Sequence, residues 1–339
     1  MLLVACSGSS TKEETPPNAS PTAQSEQTPT PTRLPQAAPS PGPTAIVIDK
    51  LPIIDMHFHP DAGWDIGALV SLLDQLGIAK AVGGAGGAGS IALTFAGEQP
   101  QRFVPFAGQD AVRALYLAEG TAVTNFESDR AVRHLATLEE GLKAHCWAGI
   151  GELFLNTLSS HRTGSMRMPA DSTLMRRLWE MSATYGVPLS VHMDADPVSV
   201  AEMRRLLALD RNGTWIWAHA GWYTEPALLR ELLQAHVNLY LELSFRDELR
   251  SFFAVSGGGK LREEWRLLLE EMPERFVLGT DLLPPPTPAK YTELIVFWRG
   301  ILEQLTPATA AKLAYQNAER LLGDYAPIDA TRCTAIASG

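Results

Sequence analysis

Four short apolar runs in this chain end in a histidine or an aspartate. Each is rich in β-branched, aromatic or other apolar residues and bounded by proline, glycine or a polar turn, which is typical of a buried parallel strand. The carboxyl ends of such strands meet at one face of a parallel barrel, so these polar side chains are expected to converge. Imidazole and carboxylate donors together suit a catalytic Zn²⁺-like ion with one position left for water. The runs are Ile53–His59, Pro188–His192, Trp215–His219 and Phe276–Asp281.

The chain beyond residue 46 alternates short apolar runs with amphipathic segments. This order predicts a parallel sheet, and eight such units predict closure into an α/β fold, the (β/α)8 TIM barrel. A barrel of about 250 residues accounts for most of the 339 residues, so one catalytic domain is sufficient. The predicted strands are Ile53–His59, Ala79–Val82, Arg102–Ala107, Trp147–Leu155, Leu189–Asp194, Trp215–Ala220, Leu239–Phe245 and Arg275–Leu282.

The charge balance restricts the class of partner. The chain has 28 basic and 38 acidic residues, a net charge of −10, and no basic stripe. A small-molecule substrate and no nucleic-acid partner are therefore predicted, and the oligomeric state is left open.

The amino terminus resembles a bacterial lipoprotein signal. Leu3-Val4-Ala5-Cys6, followed by serine and glycine, matches the lipobox, whose cysteine is lipidated. Only five residues precede Cys6, so residues 1–6 are expected to be a truncated signal and the native gene to begin upstream. Residues 7–46 are mostly Pro, Thr, Ser, Ala and Gln, which predicts a disordered tether. The barrel is predicted over 47–325 and a carboxyl-terminal tail over 326–339. The protein is thus expected outside the cytoplasm, held to a bacterial membrane by a lipid anchor at Cys6.

The other two cysteines are predicted to have separate roles. Cys146 opens a strand and Cys333 lies in the predicted tail. We therefore expect no disulfide framework.

Alternation along a strand predicts which side chains reach the barrel interior. His57 and His59 share one face, with Asp55 one pleat below them. Ile54, Met56 and Phe58 are then predicted to point outward toward the helices.

The order His-x-His, Glu, His, His, Asp on strands one, four, five, six and eight resembles the amidohydrolase superfamily of metal-dependent hydrolases, over roughly 51–322. The segments Ile-Asp-Met-His-Phe-His-Pro and Leu-Gly-Thr-Asp-Leu-Leu are most similar to its amidohydrolase-2 branch, and the surroundings of Glu152 look like the TatD-like branch. The resemblance implies one or two divalent ions, expected to be zinc, with Glu152 a bridging ligand only in a two-metal site. The metal ligands that it implies are His57, His59, Glu152, His192, His219 and Asp281.

The expected function is hydrolysis of an amide, lactone or ester bond of a small molecule. Asp281 is the candidate general base and His219 a second catalytic candidate. Alternatives are a metal-dependent non-oxidative decarboxylase and a non-catalytic solute-binding lipoprotein. Residues expected to contact the substrate are His161, Arg162, Trp222 and Arg246. Residues expected beside the ligands include Asp194, Asp196, Tyr223, Glu242 and Ser244.

Overall fold

The predicted parallel strands pair side by side in sequence order. A computed structural model of the protein describes residues 47–84, 90–157, 166–245, 254–255, 259–282, 286–326 and 328–338. Within these ranges an eight-stranded sheet runs from β1 to β7 and then β10, and β8 pairs antiparallel with β9. The strands are β1 Ile53–Asp55, β2 Ile78–Gly83, β3 Phe103–Gly108, β4 Gly149–Asn156, β5 Pro188–Met193, β6 Thr214–Trp217, β7 Leu239–Glu242, β8 Ala254–Val255, β9 Lys260–Leu261 and β10 Phe276–Val277.

Main-chain hydrogen bonds join the chain after β1 to the chain after β10 and close the barrel. The Met56 amide donates to the Leu278 carbonyl at 2.9 Å, and the Asp281 amide donates to the His57 carbonyl at 2.7 Å. The predicted TIM barrel is therefore confirmed, with β10 as its eighth strand. Closure also places the end of β1 beside the end of β10.

Helices follow the strands because the sequence supplies start and stop signals between them. Asp65, Ser128 and Ser172 each accept a hydrogen bond from a main-chain amide in the first helical turn, which would otherwise lack a partner. Left-handed Gly77 and Gly186 follow the last helical residue of their helices.

The helices surround the sheet and end in a carboxyl-terminal helix. In the part of the chain that the structure describes, none of them is both long and apolar enough to cross a membrane. The helices are α1 Ile66–Leu76, α2 Ser90–Glu98, α3 Gln109–Glu119, α4 Thr121–Thr124, α5 Asp129–Lys143, α6 Thr173–Tyr185, α7 Pro197–Leu207, α8 Pro226–Ala235, α9 Glu263–Glu271, α10 Pro288–Leu302, α11 Pro307–Ala311, α12 Asn317–Leu322 and α13 Ala330–Ser338. Shorter 3-10 turns lie at Ile48–Lys50, Ala218–Gly221 and Pro273–Arg275, and a π-helical turn lies at Lys312–Gln316.

The buried apolar residues form two clusters. The smaller one includes Ile54, Val82 and Val277 from three strands and fills the barrel interior, whereas the larger one joins strands to the surrounding helices. Met56 also belongs to the inner cluster, so the prediction that Ile54 and Met56 point outward is wrong. The reason is that β1 ends at Asp55 and the chain then bends, so strict alternation does not continue to the histidines.

A disulfide bond joins Cys146 to Cys333, so the expectation of no disulfide framework is wrong. Cys146 lies shortly before β4, and Cys333 lies on α13, inside the segment predicted as a tail. Helix α13 contacts α2 and α5, and the approach is close: a Cβ on Gly97 of α2 would lie 2.5 Å from the Ala330 Cβ. The two cysteines are 187 residues apart and meet only because the folded chain returns to α2 and α5.

We expect Cys333→Ser to lower the free energy of unfolding by about 2–4 kcal/mol, because the bond restricts a long loop of the unfolded chain. Denaturant unfolding without reductant measures the change. Cys6→Ser is the matched control, since Cys6 is not part of this bond. If both variants unfold like the wild type, the disulfide does not stabilise the barrel.

Candidate metal centre

All six predicted metal ligands meet at the carboxyl-terminal end of the barrel strands. Each residue is 9% exposed or less. Their donor atoms form two adjacent clusters, and within each cluster the atoms lie within 4.8 Å of one another. One cluster contains His57, His59 and Asp281, and the other contains Glu152, His192 and His219.

Glu152 lies between the two clusters and faces a different pair of imidazoles with each oxygen. Its Oε1 is 3.2 Å from His192 Nδ1 and 3.2 Å from His219 Nε2. Its Oε2 is 3.3 Å from His57 Nε2 and 4.0 Å from His59 Nε2. Glu152 therefore contacts both clusters at once, with one oxygen toward each.

Asp281 completes the first cluster from the chain that follows β10, which lies beside the chain that follows β1. Its Oδ1 is 2.7 Å from His59 Nε2 and 3.6 Å from His57 Nε2. Its backbone is left-handed, with φ of 45°, and its amide donates to the His57 carbonyl. The carboxylate is therefore held beside both histidines by main-chain as well as side-chain contacts.

His219 reaches the centre because the chain leaves the strand conformation before it. Strand β6 ends at Trp217, and His219 and Ala220 are left-handed, with φ of 56° and 44°. Left-handed backbone is uncommon for residues other than glycine and often occurs at functional sites. Trp215 and Trp217 meanwhile belong to the outer apolar cluster, so they do not share a direction with His219.

Charged neighbours and burial shift the pKa values of these groups. Burial lowers the pKa of His57, but the carboxylates of Asp281 and Glu152 outweigh it and raise that pKa well above its usual value. Burial, with His192 alongside, lowers the pKa of His219 and keeps its ring neutral. Burial raises the pKa of Glu152, but His57 and the hydrogen-bonding histidines bring it well below the usual range. The centre thus has an ionised Glu152 carboxylate beside the His57 ring, which tends to hold a proton.

The donor set fits a divalent cation. His57 Nε2 is buried and has no hydrogen-bond partner among the described residues, although carboxylate oxygens surround it. Donor atoms that share one ion at about 2.0–2.2 Å lie roughly 3–3.5 Å apart. The separations here are of that order, from 2.7 Å between His59 Nε2 and Asp281 Oδ1 to 4.0 Å between His59 Nε2 and Glu152 Oε2. Because metal binding displaces protons from its ligands, a cation can take the place of the proton that His57 otherwise attracts.

The predicted substrate-contact residues have different outcomes. Trp222 is 8% exposed, and its ring lies 5.4 Å from the His219 ring and 6.1 Å from the His192 ring. His161, Arg162 and Arg246 lie outside the described residues. Phe154 and Phe245 were not predicted to contact these rings: Phe154 stacks on His192 at 5.2 Å and Phe245 meets His219 at 5.2 Å.

Of the residues expected beside the ligands, Asp194, Glu242 and Ser244 contact ligand rings. Asp194 Oδ1 lies 3.4 Å from His192 Nε2, Glu242 Oε2 lies 2.8 Å from His57 Nδ1, and Ser244 Oγ lies 2.8 Å from His219 Nδ1. Asp55 does not share the direction of His57. Instead it accepts hydrogen bonds from the Thr280 amide and hydroxyl and from the Tyr291 hydroxyl on α10.

Comparison with known proteins assigns a family. The model of the amidohydrolase family matches residues 54–323. The chain belongs to the amidohydrolase family. That assignment confirms the resemblance seen in the sequence, and the match covers every strand of the barrel except the first residue of β1. No curated protein matches this amidohydrolase significantly by sequence.

Several solved structures resemble this chain at low sequence identity. An uncharacterised TIM-barrel protein from Bordetella bronchiseptica is 15% identical, with a TM-score of 0.54, over 85% of this chain and 100% of that one. A probable 2-pyrone-4,6-dicarboxylic acid hydrolase from Acinetobacter baumannii is 14% identical, with a TM-score of 0.48, over 80% and 99%. A dihydroxybenzoic acid decarboxylase from Polaromonas sp. JS666 is 15% identical, with a TM-score of 0.47, over 75% and 85%.

Gly279 gives the first cluster the space that it needs. A Cβ at this position would lie 2.3 Å from Glu242 Oε1 and 2.5 Å from His57 Cβ. We expect Gly279→Ala to destabilise the protein by about 1–3 kcal/mol through overpacking, as measured by denaturant unfolding. Gly300→Ala is the matched control, because nothing lies within 4 Å of its added methyl group and it sits in α10. Equal stability of the two variants would contradict this packing argument.

Proposed function

We propose that this amidohydrolase is a metal-dependent hydrolase that cleaves an amide, lactone or ester bond of a small molecule. The observation that carries the proposal is the position of Glu152, with one oxygen toward the His57–His59 pair and the other toward the His192–His219 pair. Family membership supports the same reaction class.

Two clusters of donors would suit two ions. His57, His59 and Asp281 would hold one divalent ion, His192 and His219 would hold a second, and Glu152 would be shared by both. Imidazole and carboxylate donors of this kind suit zinc. A divalent ion at such a centre supplies a Lewis acid that polarises a carbonyl and makes water more acidic.

Asp281 has the properties of the proton carrier in this mechanism. Burial raises its pKa, but the positive charge of His57 and the hydrogen bond from His59 lower it below the usual value. The carboxylate is therefore ionised and able to accept a proton. At 7% exposure it lies at the edge of the centre and can pass that proton to a leaving group, while His219 stays neutral.

Aromatic side chains form the wall next to the second cluster. Trp222 lies 5.1 Å from the ring of Phe245, and both rings meet His219 edge-on. This wall removes water from one side of the centre, which strengthens the electrostatic interactions inside it.

A screen of lactones, amides, esters and aromatic carboxylates, scored for acid release against CO₂ release, tests the reaction class. If the protein releases CO₂ and no acid, the proposed hydrolysis is wrong and the reaction is a non-oxidative decarboxylation.

The proposed location is outside the cytoplasm, with a lipid anchor at Cys6. The Cys146–Cys333 bond supports it, because disulfides persist in oxidising compartments and are rare in the cytosol. Expressed from its native gene, the protein is expected to incorporate labelled fatty acid, and Cys6→Ser is expected to lose the label. Equal labelling of both would rule out this anchor.

The metal count is expected to depend on Glu152. Wild-type protein should bind about two equivalents of Zn²⁺, and Glu152→Gln should fall toward one, because a neutral amide is a poor bridging ligand. Elemental analysis of dialysed protein measures the ratio. Glu202→Gln is the matched control, since this carboxylate is also buried but bonds Arg167 and the Ala170 amide instead. One equivalent in the wild type would contradict the shared-ligand arrangement.

Catalysis is expected to depend on the Asp281 carboxylate. Asp281→Asn keeps the size but removes the proton acceptor, so kcat should fall by about 10²-fold or more. The rate is measured on a substrate found in the screen and divided by bound metal, which separates loss of the base from loss of the ion. A wild-type rate per metal in this variant would remove Asp281 from the mechanism.

A further inference from the structure

We infer that Glu242 and Ser244 are positioning residues that decide which ring nitrogens of His57 and His219 face the centre. This inference rests on the proposed metal-dependent function. Neither residue belongs to the proposed ligand set. Both act through the nitrogens on the far side of the two rings.

Glu242 lies at the end of β7 and is fully buried. Its Oε2 is 2.8 Å from His57 Nδ1, and because an ionised carboxylate has no proton to give, the imidazole must donate. His57 therefore carries a proton on Nδ1. Its Nε2, the atom that faces Glu152 and Asp281, is the nitrogen left for a ligand bond.

Ser244 transmits the same constraint to His219. The Ser244 hydroxyl lies 2.7 Å from Glu242 Oε2, to which it donates its single proton. The same oxygen is 2.8 Å from His219 Nδ1, so at that contact it can only accept. His219 then carries its proton on Nδ1, and its Nε2 faces Glu152. One carboxylate thus sets the tautomer of a histidine in each cluster.

The Glu242 carboxylate has little freedom to rotate. The Ser244 amide donates to Oε1, and the His219 amide donates to Oε2 at 3.3 Å. Gly279 packs so closely against Oε1 that no side chain fits between them. Groups that hold the far nitrogen of a metal-binding histidine commonly change metal affinity or activity by about 10–100-fold when they are removed.

The decisive variant is Glu242→Gln. His57 Nδ1 and the Ser244 hydroxyl both bond Oε2, whereas the Ser244 amide donates to Oε1. The amide of glutamine has one oxygen and cannot accept at both places. With its nitrogen toward the Ser244 amide, two N–H donors face each other; with its oxygen there, its N–H groups face His57 Nδ1 and the Ser244 hydroxyl, which then turns its proton toward His219. We expect the Kd for Zn²⁺ to rise by about 10–100-fold, and the visible spectrum of the Co²⁺-substituted protein to change. Glu202→Gln is again the control and should keep the wild-type Kd and spectrum.

Ser244→Ala is the second variant and keeps the test valid if Glu242→Gln does not fold. It removes the hydroxyl that contacts His219 Nδ1 at 2.8 Å and His57 Nδ1 at 3.3 Å, but it keeps the Glu242 carboxylate on His57 Nδ1. Its rise in Kd should therefore be smaller, while the Co²⁺ spectrum still changes. Wild-type Kd and spectrum in a folded Ser244→Ala or Glu242→Gln protein would overturn the positioning role and leave the proposed function intact. A wild-type protein that binds neither Zn²⁺ nor Co²⁺ would overturn the proposed function itself.

Discussion

The buried carboxylate of Glu152 is the interaction on which the candidate centre depends. It is 4% exposed and lies within 4.0 Å of four imidazoles, so its charge is balanced by those rings and not by water. An isolated charge at this depth would be strongly unfavourable. The same contact brings together side chains from β4, β5 and the chain that follows β1 and β6. One glutamate carboxylate therefore links the two donor clusters.

Closure of the barrel positions the residues of the first donor cluster. His57 and Asp281 come from opposite ends of the domain and are joined through a main-chain hydrogen bond. Asp55 reinforces the junction, because it accepts from the His57 and Thr280 amides and from Tyr291 on α10. Asp55 is fully buried, and burial raises the pKa of its carboxyl despite these hydrogen bonds, so this link lies in the protein interior. The first cluster can form only when the last strand has joined the first.

Irregular backbone is concentrated where the functional side chains lie. His219, Asp281 and Trp222 are all left-handed, and the two candidate catalytic residues are among them. Such conformations cost of order 1–3 kcal/mol each and persist where the surrounding packing holds them. Main-chain hydrogen bonds help to hold them here: the Asp281 amide donates to the His57 carbonyl, and the Trp222 amide donates to the His219 carbonyl. At these positions the chain has left the strand conformation, so the side chains reach the centre in directions that strand alternation would not give.

The sequence by itself determined the barrel and the identity of the residues that meet. Buried parallel strands are short and apolar on both faces, so a histidine or carboxylate at the end of one stands out, as His192 and Glu152 do. The tertiary structure decided in which direction each side chain points and which residue it contacts. Asp55 contacts Tyr291 and does not share the direction of His57, because β1 ends at Asp55 and alternation does not continue to the histidines. Cys146 is bonded to Cys333 across 187 residues. Pairings of this kind depend on where strands end and how the chain returns, which local sequence patterns do not encode.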